Sequence, residues 1–203
     1  MTSALEERLE QIIPRVTDGA FLQSKGIGNE IACYIFDYSA NEELEVRAHL
    51  AWMKTRLRTH HSHLCVLDLD LFEVVLAYLK ERGLLSKVVA MQARKNDAAV
   101  LKALKGPLAA DKITDFIAKA HKPSEYDLVL LSGIGRAWPM LRAHSLLNCL
   151  HTIMQQIPLV MFYPGTFDGT TLKIFGRITA ISATPGAKPY YRAFRLVARE
   201  TTP

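Results

Sequence analysis

The sequence predicts an α/β fold: a three-layer sandwich with a mainly parallel sheet, antiparallel C-terminal edge strands and a helical insertion over residues 85–121. Three observations predict it. Four short runs, "EIACYIFDYS", "HLCVLDLD", "YDLVLLSG" and "PLVMFYPG", are apolar and rich in branched and aromatic residues, as strands covered on both faces are. Stretches with helical periodicity separate them, and parallel strands need such crossovers. Finally, 203 residues at 49% hydrophobic supply enough apolar surface for one buried core, giving a single domain over residues 1–203.

Each element has its own local signal. "SALEERLEQII" opens a helix, with Ser3 and Glu6 spaced as a capping box. The first strand run ends at Asp37–Tyr38. Ser39 and Glu42 repeat the capping spacing, and Val46, Leu50, Met53 and Leu57 fall on one face of the helix that follows. Asp70 ends the second strand as the N-cap of "LFEVVLAYLKERG", which stops at Gly83. Residues 85–121 are helical throughout, in two or three short helices broken at Gly106-Pro107. After "YDLVLLSG", Pro139 suits the first turn of a helix running to about Gln155. "TLKIFGRITA" and "YYRAFRLVA" read as two last strands forming the antiparallel edge.

In such sheets the working loops lie at the carboxyl ends of the strands: residues 37–41, 68–70, 132–139 and 163–169. "SGIGRAWPM" has the position of a phosphate loop, but it lacks the lysine of GxxxxGK[ST] and does not complete GxGxxG. Its glycines are better read as a tight turn. Asp37, Asp68, Asp70 and Asp168 fall at strand ends, where paired acids can hold magnesium. Asp70 is already explained as a cap, and no further ligand or general base accompanies them. His60, His61 and His63 cluster without a cysteine or acid at ligand spacing. There is no GxSxG elbow and no cysteine beside a base. No catalytic residue, cofactor or metal site is therefore expected, nor an enzyme.

Cys33, Cys65 and Cys149 form neither a CxxC pair nor an even set, which argues against a disulfide framework. No apolar run is long enough to span a bilayer and the N-terminus lacks a signal-peptide core, so a cytoplasmic protein without membrane contact is expected. Net charge is +5, and its placement matters more than its size: residues 1–126 carry 17 Lys+Arg against 17 Asp+Glu, and the rest carry 8 against 3. Arg136, Arg142, Arg177, Arg192 and Arg195 contribute to that excess. Arginine favours bidentate contact with carboxylate or phosphate. Together with nearby aromatics it suggests an interaction surface of Arg136, Trp138, Arg142, Tyr163, Phe167, Tyr190, Tyr191 and Arg192.

The segments "YDLVLLSGIGRAWPMLRAHSLLNCLH", "PLVMFYPGTFDGTTLKIFG" and "YYRAFRLV" resemble the BrxB family of bacterial BREX (bacteriophage exclusion) defence systems. "NEIACYIFDYSANEELEVRAHLAWM" and "CVLDLDLFEVV" extend the resemblance over nearly the whole chain. It implies a cytoplasmic phage-defence component acting beside a methyltransferase, a large ATPase and the alkaline-phosphatase-like protein PglZ. A non-catalytic adaptor binding PglZ and other BREX components, with DNA contact only within the complex, is the function expected from it. The alternative is a degenerate nucleotide- or nucleic-acid-binding module of the same system.

Overall fold

The computed structural model describes residues 3–23, 33–154, 156–176, 178–179 and 193–199. Three short helices come first, α1 (Ala4–Glu10), α2 (Ile12–Val16) and α3 (Gly19–Leu22), then β1 (Cys33–Tyr38), α4 (Glu43–His60) and β2 (Val66–Asp70). Next come α5 (Leu71–Glu81), α6 (Leu85–Gln92), α7 (Asp97–Leu104), α8 (Ala110–His121) and β3 (Leu128–Ser132). The remainder is α9 (Ile134–Ala137), α10 (Ala143–Met154), β4 (Leu159–Phe167), β5 (Leu172–Ile174), β6 (Ile178–Thr179) and β7 (Ala193–Arg195).

Five strands pair in parallel in the order β2–β3–β4–β1–β7. Helices cover both faces, so the three-layer prediction holds. Alternation along the strands divides the core in two. Ile35, Leu69, Leu131 and Met161 face one side, where Val75, Leu79, Ile117 and Leu146 of α5, α8 and α10 meet them. Phe36, Leu130, Val160 and Phe162 face the other, against Leu9, Val16, Met53 and Leu57 of α1, α2 and α4. The helical stretch 85–121 is α6–α8, and it adds Val100, Leu104, Leu108 and Ile113 to the first of these cores.

The predicted caps form. Ser3 and Glu6 exchange hydrogen bonds of 3.1 and 2.7 Å, Glu42 accepts from the Ser39 N–H at 2.7 Å, and Asp70 accepts from the N–H groups of Phe72 and Glu73. Gly83 ends its helix at φ +62°.

Two expectations change. The helix placed from Pro139 onward starts at Ala143 instead. Trp138 is extended at ψ 140°, because the ring of the following proline disfavours helical backbone in the residue before it. The C-terminal edge also divides. "TLKIFGRITA" supplies β5 and β6, which continue β4 as an antiparallel meander. The strand within "YYRAFRLVA" is β7, and it joins β1 in parallel at the opposite edge. Leu196 and Val197, buried on the α1/α2 side, and the ion pair of Arg195 with Asp37 hold it there.

Candidate functional site

The turn after β3 is built by two glycines with different duties. Gly133 sits at φ +72°, a region open to glycine at little cost. A Cβ there would overlap the Asp70 carboxylate, coming 2.8 Å from its Cγ and 3.1 Å from the Leu71 N. Gly135 lets Pro164 and Phe175 approach, with a virtual Cβ 3.0 Å from the proline ring. The place where a phosphate loop would open toward an anion is thus met by a carboxylate, and α9 is one turn long. The glycines serve close packing between strand ends.

Arg136 follows on α9. Its guanidinium pairs with Asp70 and, at 3.5 Å, with Glu73, and lies 5.2 Å over the Phe72 ring. One carboxylate therefore caps α5 with one oxygen and anchors α9 with the other. Two residues on, Trp138 is half-buried against the core and meets Phe175 edge-on at 5.5 Å. Phe175 itself is 36% exposed. Phe72, Arg136, Trp138 and Phe175 form an arginine–aromatic face at the carboxyl ends of β2, β3 and β4. Arg142 stands exposed where α10 begins.

The rest of the predicted surface separates from this face. Tyr163 and Phe167 are 3% and 1% exposed and belong to the core. Pro164-Gly165 reads as a loop, yet β4 runs on to Phe167 because β5 pairs along it. Gly165 makes that pairing possible: a Cβ there would overlap the Lys173 carbonyl. Tyr190, Tyr191 and Arg192 lie outside the described residues, as does Arg177.

The strand-end acids are all engaged. Asp68 pairs with Lys54 at 2.6 Å. Asp168 folds the β4–β5 connection by accepting from the N–H groups of Thr170 and Thr171 at 2.9 and 2.7 Å. Those bonds, the Thr170 N–H foremost, hold its carboxyl below the usual range. Among the described residues no group of three or more His, Cys, Asp or Glu could hold a metal ion. His61 and His63 stack edge-on at 6.1 Å as a polar connector.

Asp37 has a role that sequence reasoning missed. It is fully buried and shared by three guanidinium groups, Arg8 at 3.5 Å, Arg195 at 3.2 Å and Arg199 at 3.6 Å. It also accepts from the Phe167 N–H at 3.2 Å. Arg8 reaches the Asp37 carbonyl at 2.8 Å and the Ala198 carbonyl at 3.2 Å. Burial pulls the Arg8 guanidinium below its ordinary pKa, and Asp37 opposes that shift. Here, at the carboxyl end of β1, α/β sheets commonly leave a ligand crevice. In this chain the position holds an ion cluster that ties the N-terminal helix to the C-terminal strand.

Three comparisons bear on what carries this architecture. Residues 67–196 match the family model described as BREX protein BrxB. The chain is 40% identical over 197 residues to a BREX protein BrxB of Bacillus cereus (strain H3081.97), covering 95% of this chain and 97% of that one. It is 42% identical over 193 residues to a BREX protein BrxB of Escherichia coli O9:H4 (strain HS), covering 95% and 92%. No solved structure matches it. Agreement at this level over nearly both full lengths makes the chain a member of the BrxB family, components of BREX phage defence.

Proposed function

We propose that the chain is a non-catalytic adaptor of a BREX complex and that its direct partner is the PglZ-type alkaline-phosphatase-like protein, engaged through Phe72, Arg136, Trp138, Phe175 and Arg142. The observation that carries this is the pairing of a spent set of acids with an exposed arginine–aromatic face. Asp37, Asp68, Asp70 and Asp168 all serve structure, so among the described residues these four strand-end aspartates are already engaged rather than held ready for general acid–base work. The same strand ends present Trp138 and Phe175 half-buried, rigid apolar anchors of the kind that dominate interface energetics. On this reading the protein works in the cytoplasm, and any DNA contact is made by the assembled complex. No helix of the described residues is long and apolar enough to cross a membrane.

The test is co-purification of the chain with the PglZ-type protein of its own defence cluster. Wild type co-elutes at micromolar concentration. Arg142→Glu loses the partner while melting with the wild type, and Trp138→Ala loses it while still folded, at a lower melting point because the indole packs on the core. Arg136→Ala is the weaker probe, because it also releases Asp70 and Glu73. Absence of a complex, or full binding by both Trp138→Ala and Arg142→Glu, refutes the proposal.

A further inference from the structure

Helix α4 buries Val46, Leu50, Met53 and Leu57 and turns a second apolar stripe outward. Leu44 is 75% exposed and Trp52 is 52% exposed, with Ala48 and Ala51 exposed between them. Spacings of three and four residues put these side chains along one face. Acidic Glu43 and Glu45 stand in the first turn, and Arg56 and Arg58 in the last two. Among the described residues no ion pair engages Glu45, Arg56 or Arg58. Arg56 instead lies 5.9 Å from the Trp52 ring, on the exposed side.

We propose that this face pairs antiparallel with α4 of a second copy of the chain. The pairing of Glu45 with Arg56 is possible only in that direction: reversed, Glu45 of one helix lies against Arg56 of the other, with Glu43 held by the Tyr38 hydroxyl and the exposed Arg47 at the opposite edge of the face. With the small Ala48 and Ala51 at the centre, two backbones can approach closely, and Glu45 of each copy meets Arg56 of the other. Two-fold symmetry makes every such contact twice. Trp52 of each copy then covers the middle, next to His49 at 5.1 Å in its own helix. The acid-first, base-last order also suits the helix dipole, but the dipole has no use for an exposed leucine and tryptophan on the same side. A nucleic acid would also welcome Arg56 and Trp52, yet Glu45 and Leu44 on that face oppose a phosphate backbone.

Sedimentation equilibrium of the full chain from micromolar to submillimolar concentration tests this. A dimer is expected, lost in Ala48→Arg, which puts a long side chain at the centre. Glu45→Arg and Arg56→Glu each weaken it by roughly tenfold, since each reverses two symmetric pairs worth a few-fold apiece, and the double swap restores it. All these positions are solvent-exposed, so circular dichroism should show every variant folded and, at a concentration where the wild type is monomeric, melting with it. A monomer across the whole range overturns the proposal, as does a dimer that ignores the swaps. A fluorescein-labelled oligonucleotide bound by monomeric wild type and released by Arg56→Glu would assign the face to nucleic acid and overturn it too.

Discussion

Replacing Asp37 with asparagine removes one charge and almost no volume, which makes it a clean probe of the ion cluster. The three arginines feel the loss differently. Arg195 and Arg199 are 32% and 31% exposed at the side chain, so water can take over their solvation, and each loses no more than about 1 kcal/mol. Arg8 is 10% exposed and would be left as a buried charge held by two carbonyl dipoles and the Phe36 ring 4.6 Å away. Breaking a buried pair from one side costs about 3–5 kcal/mol, so Arg8 dominates. Asparagine still offers an oxygen to the Phe167 N–H. The expected loss is therefore about 3–5 kcal/mol, or a melting point lower by roughly 6–20 °C for a chain of this length. Denaturant unfolding gives the free energy. Asp68→Asn is the internal control, because its pair with Lys54 has 37% and 36% exposure and should cost under about 1 kcal/mol. Arg8→Met combined with Asp37→Asn should destabilise less than the two single changes added, by about 1 kcal/mol or more. An Asp37→Asn protein no less stable than Asp68→Asn refutes this account of the cluster.

Other expectations can be checked with the same purified protein. Gly133→Ala forces a side chain into left-handed backbone, at about 1–2 kcal/mol, and displaces the Asp70 cap, at about 0.5–2 kcal/mol; denaturant unfolding should show a loss of about 2–4 kcal/mol, and a neutral result would contradict the packing described for the turn. Cys65 is exposed and Cys33 is buried, with burial pushing the Cys33 thiol up to about 12, so iodoacetamide should label Cys65 in the native protein and reach Cys33 only after unfolding. Burial holds both His49 and His151 below the ordinary histidine range, with Glu10 opposing the shift at His49. The unfolded chain therefore takes up these protons first: their contribution is complete above pH ~6.5 and is lost as pH falls toward the folded values. Stability should decline from neutral to mildly acidic pH, and His49→Gln with His151→Gln should flatten that decline.

The parts of the fold that were legible in the sequence are those written locally. Ser3, Ser39 and Asp70 announce their helices because each cap and its partner lie within three residues. The apolar runs announce β1, β3 and β4 because burial on both faces leaves few polar positions, and β2, at the edge, shows itself by alternation with Asp68 turned outward. What the sequence did not show depends on distance along the chain. Arg8, Asp37, Arg195 and Arg199 converge from opposite ends, and no periodicity links residues 158 positions apart. Tyr163 and Phe167 looked like loop residues because Pro164-Gly165 usually ends a strand, whereas β5 extends this one. Arg136 was legible as a residue to single out, but not that Asp70 and Glu73 already hold it.

The position of β1 sets the order in which the chain can be completed. Both of its neighbours come from the far end: β4 at 159–164 and β7 at 193–195. By contrast β2, β3 and β4 pair in succession with one another. During synthesis the middle of the protein can assemble while β1 waits, matched on one edge once residues 159–164 are made and on the other only once residues 193–195 follow. Such long closures slow folding, and an unmatched strand is a template for pairing with another chain. A chain cut before residue 193 would leave one side of β1 open, so losing β7 damages a strand more than 150 residues away.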